Sequence, residues 1–138
     1  MTFQLDARLA ADTHAIAELP LSRLLLMDDA RFPWLILVPR IVGARELIDL
    51  DQADQCALLA EITEVGRAVE SLLHPDKLNI ATLGNIVSQL HVHLVARYTT
   101  DAAWPQPVWG HGERIGYDIA ARKARIAELR DALKSSFA

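Results

Sequence analysis

The feature that most constrains this chain is the strict alternation of polar and apolar residues in the segment QLHVHLV at positions 89–95. Such alternation is typical of a β-strand, on which side chains two residues apart share a face and lie about 6.5 to 7 Å apart. The pattern predicts that Gln89, His91 and His93 project together, while the leucines and valines between them anchor the opposite face in a core. The sequence therefore predicts two neighbouring imidazoles on a rigid support.

The composition indicates a single folded domain over residues 1–138. Hydrophobic residues make up 51% of the chain and charged residues 23%, which excludes a disordered or low-complexity protein. Lys and Arg number 14 against 18 Asp and Glu, a net charge of −4 that argues against nucleic acid as a partner. The lone Cys56 excludes a framework of intramolecular disulfides and a cysteine-rich zinc cluster.

The beginning of the chain predicts no secretion signal. Its first residues, MTFQLDARLAADTH, carry acids and no apolar core. The longest strongly apolar runs, at 24–27 and 34–38, are far too short for a membrane-spanning helix. We therefore expect a soluble cytoplasmic protein that does not bind membranes.

Apolar periodicity predicts an α+β fold. Two short apolar runs, Ser22–Met27 and Trp34–Pro39, read as the strands of a hairpin. Apolar residues at steps of three and four predict a long helix that opens after Asp51 and ends at His74-Pro75. The remaining predicted elements are a short helix at 4–10, strands at 77–83 and 89–97, a turn at Gly84-Asn85 and a last helix marked by Ile119, Ile126, Leu129 and Leu133. This order predicts a mainly antiparallel sheet with the long helix packed on one face and a C-terminal helix.

From the residues alone, the two imidazoles have three interpretations. They face solvent on the outer side of an amphipathic strand, they supply two ligands of a metal site, or they act as nucleophile and proton donor in catalysis. A metal-dependent enzyme would need a third ligand. The other histidines, His14, His74 and His111, stand at no diagnostic spacing.

The segment GNIVSQLHVHLVAR at 84–97 resembles the signature of the histidine triad (HIT) superfamily of nucleotide hydrolases and transferases. The LLLM…WLILVPR hairpin, the long middle helix and the KLNIATLGN strand also come in that family's order. Within that family the chain resembles short bacterial members described as diadenosine polyphosphate hydrolase-like. The resemblance implies an HIT-like fold and a homodimer in which the sheets of two subunits join.

The resemblance also implies a two-step nucleotidyl transfer. His91 aligns with the nucleophilic middle histidine, which attacks an α-phosphorus and forms a covalent nucleotidyl-histidine that water then hydrolyses. His93 aligns with the last histidine and would donate to a phosphate or bridging oxygen. Gln89 stands where the family has its first histidine, and an amide cannot carry a proton charge. A rival interpretation is a nucleotide-binding module whose catalysis has decayed.

Further positions are implied to bind substrate. Asn85, Ser88 and Asn79 stand at or near places where family members contact phosphate. In the segment WPQPVW, Trp104 and Trp109 either stack on a nucleobase or pin an irregular loop to the domain.

The implied ligand is a small nucleotide, either a dinucleoside polyphosphate or a nucleoside phosphoramidate. No cofactor is expected, and magnesium would serve only as a counter-ion of the substrate phosphates. Arg97, at the end of the triad strand, reads as one half of a surface ion pair.

Overall fold

The structure is a computed structural model and describes residues 1–137. Within these residues, five strands and three helices follow one another: α1 (Ala7–Asp12), β1 (Thr13–Glu18), β2 (Ser22–Met27), β3 (Trp34–Pro39), α2 (Gln52–Leu73), β4 (Lys77–Ala81), β5 (Val92–Arg97) and α3 (Ile119–Leu133). A short 3-10 helix, Leu47–Asp49, precedes α2. The strands form one antiparallel sheet in the order β1-β2-β3-β5-β4. The predicted α+β fold is therefore confirmed.

The predicted hairpin is confirmed with the same bounds, because β2 and β3 pair directly, with Leu25 opposite Ile36. All six residues of β3 are buried, since the sheet is covered on both faces. Strand β1 was not predicted. Its sequence, THAIAE, contains one large apolar residue and gives too weak an alternation to be recognised.

The long helix α2 also has its predicted ends. The Asp51 carboxylate accepts a hydrogen bond from the Asp54 N–H at 2.8 Å and so caps the first turn. At the other end His74 adopts a left-handed conformation, with φ of 49°, and the helix stops before Pro75. None of the helices within residues 1–137 is long and apolar enough to cross a membrane.

Alternation along the strands divides the core into two layers. One face of the sheet packs beneath α2 and α3 through residues such as Leu24, Leu35 and Leu94. The opposite face carries Trp34, Ile36, Val38 and Val95, and it is covered by Leu9 of α1 and by Ala103 and Val108 of the loop that follows β5. The histidines of β5 belong to this second face, so a helix and a loop lie over them.

The triad strand is shorter than predicted. We expected it to begin at Gln89, but β5 begins at Val92. The reason is that residue 90 leaves the ladder: the Leu90 N–H donates to the Ala44 carbonyl at 3.0 Å, outside the sheet. Strand β4 ends at Ala81 instead of residue 83, and the chain then turns through Gly84, whose φ of +80° favours glycine.

Candidate active site

His91 and His93 lie side by side, with ring centroids 4.8 Å apart. His93 stands on β5, opposite Ile36 on β3 and Ala81 on β4, and His91 lies one residue before the strand. Only 6% of His91 and 5% of His93 is exposed. The interpretation of these residues as solvent-facing is therefore wrong, because α1 and the loop after β5 cover this face of the sheet.

The hydrogen bond of His91 determines which of its ring nitrogens is free. Nδ1 lies 2.7 Å from the backbone carbonyl oxygen of Gln89. A carbonyl oxygen only accepts hydrogen bonds, so Nδ1 carries the proton and donates. In the neutral ring Nε2 then bears the lone pair. His91 is thereby prepared to act as a nucleophile through Nε2.

His93 has the opposite arrangement. Its Nδ1 lies 2.9 Å from Nε1 of Trp34, and an indole N–H only donates. Nδ1 of His93 therefore accepts, and the ring proton of the neutral imidazole is on Nε2. Burial, together with the neighbouring His91, lowers the pKa of His93 to about 3. His93 is a neutral hydrogen-bond donor at physiological pH.

Sequence reasoning missed Trp34, which it treated only as the first residue of a strand. The indole ring packs against Trp109 at 5.9 Å between centroids, and Trp109 in turn lies 5.3 Å from the His93 ring. A buried indole N–H usually donates to an acceptor, and this general expectation is the signal by which the sequence could have indicated a polar partner for Trp34. It does not identify the acceptor, because His93 lies 59 residues away in sequence.

His91 and His93 line a cavity of about 300 Å³, here called the histidine cavity. Its size matches the lower end of small-molecule sites. Apolar side chains form much of its wall, and Asn85 of the predicted phosphate-binding turn also lines it. The apolar part of the wall comes from Leu9, Met27, Trp34, Leu83, Ile86, Val87 and Trp109.

A second cavity of about 350 Å³ adjoins the first and shares Arg8, Asp12, Met27, Trp34 and Gly110 with it. We call it the arginine cavity, because Arg31 and Arg114 line it as well. Arg8 and Arg114 pair with the same Asp12 carboxylate, at 3.8 and 3.4 Å. Two guanidinium groups therefore share one negative charge next to the histidines, an arrangement that attracts anions.

Gln89 is not among the residues that line the histidine cavity, and its side chain is bonded to the N-terminal segment. Its side-chain oxygen accepts from the Asp6 N–H at 2.8 Å, and its amide donates to the Gln4 carbonyl at 2.9 Å. The chain is not in the sheet at 89, so the alternation of faces along β5 does not fix the position of this side chain. Gln89 instead holds the N-terminal segment.

Three other residues implied to bind substrate also lie outside the lining of the histidine cavity. Asn79 accepts a hydrogen bond from Arg97 at 2.7 Å, because β4 runs antiparallel to β5 and brings it opposite Val95, two residues beyond His93. The Trp104 ring lies 5.7 Å from the same guanidinium, and Ser88 is exposed. Of the two tryptophans, only Trp109 reaches the histidines.

Arg97 is not at the surface, as the sequence suggested, but only 2% exposed. Its guanidinium makes a bidentate ion pair with Asp101, at 2.8 and 3.1 Å, and donates to the Gln106 carbonyl at 2.7 Å. Asn79 accepts a further N–H. We call Arg97, Asp101, Asn79 and Gln106 the Arg97 cluster.

The metal interpretation requires a third ligand beside the two histidines. His14, one of the remaining histidines, lies instead on β1, 3.3 Å from the Asp28 carboxylate. Among residues 1–137, no group of three His, Cys, Asp or Glu side chains is arranged to hold a metal ion.

Known proteins with this fold share both the sequence and the arrangement of the chain. A family model described as the HIT domain matches residues 8–100. A histidine triad protein from Bradyrhizobium japonicum is 48% identical, with 96% of this chain and 98% of that one covered and a TM-score of 0.93. One from Marinobacter aquaeolei VT8 is 43% identical over 100% of both chains, with a TM-score of 0.96.

A more distant solved structure, the diadenosine triphosphate hydrolase of Plasmodium falciparum, is 14% identical. The alignment covers 100% of this chain and 86% of that one, with a TM-score of 0.63, and it shows the fold alone. No curated protein sequence is significantly similar to this chain.

Proposed function

The chain belongs to the HIT domain family, whose members are in general nucleotide-binding hydrolases and transferases, and from this premise we propose that it cleaves nucleotide conjugates at the α-phosphate through His91. One observation carries the proposal: two touching imidazoles with opposite hydrogen bonds line the same cavity. His91 offers a lone pair there and His93 offers an N–H. That combination suits attack on phosphorus and stabilisation of the charge on its oxygens.

The first chemical step is an in-line displacement. The lone pair of His91 Nε2 forms a bond to the α-phosphorus, while the bond from phosphorus to the leaving group breaks and its electron pair departs with that group. The product is a nucleotidyl-histidine. The Nε2–H of His93 donates to a non-bridging oxygen of the same phosphoryl group, which stabilises the transition state.

Water completes the reaction. It attacks the phosphorus of the intermediate, the N–P bond breaks, and its electron pair returns to His91 Nε2. A nucleoside monophosphate is released, and a proton from the attacking water passes to solvent. Each step uses side chains that line the histidine cavity, and neither step needs a metal ion held by the protein.

The surroundings of the two histidines support a nucleotide as the substrate. The apolar wall, with Ile86, Val87 and Trp109, suits a flat base. The excess of guanidinium over carboxylate groups in the arginine cavity suits a chain of phosphates. The substrate on this proposal is a dinucleoside polyphosphate or a nucleoside phosphoramidate.

A nucleotide-binding module without turnover is the second candidate. The placement of Gln89 favours it, because the residue at the first triad position is bonded to the N-terminal segment and does not line the histidine cavity. The two candidates differ in whether a bond to His91 forms.

Trapping the intermediate tests the proposal. The protein is mixed with a dinucleoside polyphosphate, quenched in base within the first turnovers and digested for peptide mass spectrometry. We expect an acid-labile nucleotidyl group on His91 and release of nucleoside monophosphate. If neither adduct nor turnover appears while nucleoside monophosphate raises the melting temperature, the protein is a binding module instead.

A further inference from the structure

The site that holds the nucleophile contains few groups able to release a proton. The Trp34 N–H occupies Nδ1 of His93 and burial disfavours the charged ring, so His93 is neutral and would have to become an imidazolate to give up its Nε2 proton. The pKa of His93, lowered to about 3, is consistent with this geometry. The other titratable side chains of the histidine cavity, Arg8 and Asp12, are paired with each other at 3.8 Å.

The first triad position supplies no proton either. Gln89 is an amide, and both of its polar atoms are engaged by the backbone of the N-terminal segment. His91 uses its Nδ1 proton to bond the Gln89 carbonyl, and its Nε2 must be unprotonated in order to attack. A leaving group that needs protonation as it departs therefore finds no general acid among these three side chains.

We propose that this site selects nucleotide phosphoanhydrides, whose leaving group departs as a stable phosphate anion, over phosphoramidates and alkyl phosphoesters, and that Trp34 contributes to the selection by occupying Nδ1, the nitrogen at which His93 would otherwise take up a second proton. The inference rests on the function proposed above and narrows its substrate class. Trp34 is a positioning residue here, since it acts through His93.

The bond changes explain the selection. With an anhydride, His91 Nε2 bonds to the α-phosphorus, the bond to the bridging oxygen breaks, and that oxygen leaves with the electron pair as part of a terminal phosphate. A phosphate oxygen holds this charge at neutral pH, because its second pKa is about 6. With a phosphoramidate the electron pair would remain on nitrogen, and an amide anion does not form in water without a proton donor.

The arginine cavity fits the departing group. Arg8 and Arg114 both contact the Asp12 carboxylate, and three guanidinium groups line this cavity together with two carboxylates, those of Asp12 and Asp29. Arg31 lies at the same wall and pairs with Asp29 at 2.8 Å. A polyphosphate leaving group would find charge compensation there, whereas a neutral amine would gain nothing.

Leaving-group kinetics on the unmodified protein provide the first test. The value of kcat/KM is measured for a dinucleoside polyphosphate, for an alkyl phosphoramidate of the same nucleoside, and for aryl esters of the nucleoside monophosphate with leaving-group pKa values from about 4 to about 10. We expect the polyphosphate to be preferred by about 100-fold or more, the usual contribution of a general acid. We also expect the rates of the aryl esters to fall steeply with leaving-group pKa.

The tautomer of His93 provides the second test. Nitrogen-15 NMR of the imidazoles should report the Nε2–H form of His93 in the unmodified protein. Trp34→Phe keeps a ring but removes the N–H, so the Nδ1 lone pair becomes free to take up a proton. The matched control is Trp109→Phe, since the Trp109 Nε1 is buried without a hydrogen-bond partner in the described part of the chain. The control should leave the His93 tautomer unchanged.

In Trp34→Phe we expect the preference for polyphosphate over phosphoramidate to narrow by up to about tenfold, because the fraction of His93 that takes up a proton at the freed Nδ1 can serve as general acid. Burial and His91 still disfavour the charged ring, so the preference should not disappear. Equal cleavage of both substrates by the unmodified protein, or a flat dependence on leaving-group pKa, overturns the inference while the proposed function stands. An Nδ1–H form of His93 in the unmodified protein overturns it as well. Absence of cleavage and of any His91 adduct with every substrate refutes the proposed function itself.

Discussion

The two ends of strand β5 place polar side chains on the same face of the sheet and use them differently. At the first end, His93 and the preceding His91 each use one ring nitrogen in a hydrogen bond, and Nε2 of each ring is left for a ligand in the histidine cavity. At the other end, Arg97 is equally buried, but four of its five N–H donors are bonded within the Arg97 cluster. The two clusters are four residues apart on one strand.

The difference shows how to distinguish a chemical site from a structural one. A buried polar cluster whose members satisfy each other has nothing left to offer a ligand, and it serves to connect parts of the fold. The Arg97 cluster does this, joining β4, β5 and the loop that covers the histidines. The histidine pair still has two ring nitrogens, Nε2 of His91 and of His93, that can bind a ligand beside an apolar wall. This combination is typical of a ligand site.

Removing the nucleophile should have the largest effect. In His91→Ala we expect kcat to fall by a factor on the order of 10⁴, because the variant lacks the Nε2 lone pair that forms the bond to phosphorus. The measurement is initial-rate kinetics with a dinucleoside polyphosphate, with circular dichroism to check folding. His14→Ala, which removes an imidazole from β1, is the control. Substantial turnover by folded His91→Ala would show that His91 is not the nucleophile.

Breaking the structural cluster should mainly affect stability. In Arg97→Met we expect the free energy of unfolding to fall by about 3 to 5 kcal/mol, because the Asp101 carboxylate stays buried without its cation. Arg23→Met, which breaks the more exposed pair with Glu18, should cost at most about 1 kcal/mol. Urea titration measures both. Equal losses in the two variants would contradict the contrast between buried and exposed pairs.

The Arg97 cluster should also make stability sensitive to acid. Burial raises the pKa of Asp101, but hydrogen bonds from Arg97 and from three backbone N–H groups outweigh this and lower it to about 2. Because the folded pKa lies below the unfolded one, the carboxylate stabilises the fold by about 2 kcal/mol above about pH 4, and this is lost as the pH falls toward 2. Urea titrations at several pH values should show a smaller acid loss in Asp101→Asn. Identical pH profiles would refute this.

Replacing Gln89 should have the smallest effect, and it tests whether this residue belongs to the catalytic site. In Gln89→Ala we expect a loss of about 1 kcal/mol in stability, since two hydrogen bonds to the N-terminal segment disappear. The adjacent Ser88→Ala, at an exposed position, should change stability by less than about 0.5 kcal/mol. Thermal unfolding checks both. A rate loss above tenfold in folded Gln89→Ala would return this residue to the catalytic group.

Local pattern predicted the elements well where one period dominates a segment. The bounds of β2, β3 and α2 follow from apolar runs, from the Asp51 cap and from Pro75, all of which are encoded within a few residues. It failed for β1 and for the start of β5. The first lacks a clear alternation, and the second leaves the sheet because of a hydrogen bond to Ala44, which lies 46 positions earlier.

The sequence by itself predicted that His91 and His93 would be neighbours from their two-residue spacing, and their ring centroids do lie 4.8 Å apart although His91 precedes β5 by one residue. Only the tertiary structure decided their chemical states, because the donor that fixes the tautomer of His93 is Trp34 on another strand. It likewise assigned Asn79 and Trp104 to Arg97 instead of to a substrate. Hydrogen-bond partners of buried side chains are chosen by strand register and loop packing, which depend on the whole chain and not on local spacing.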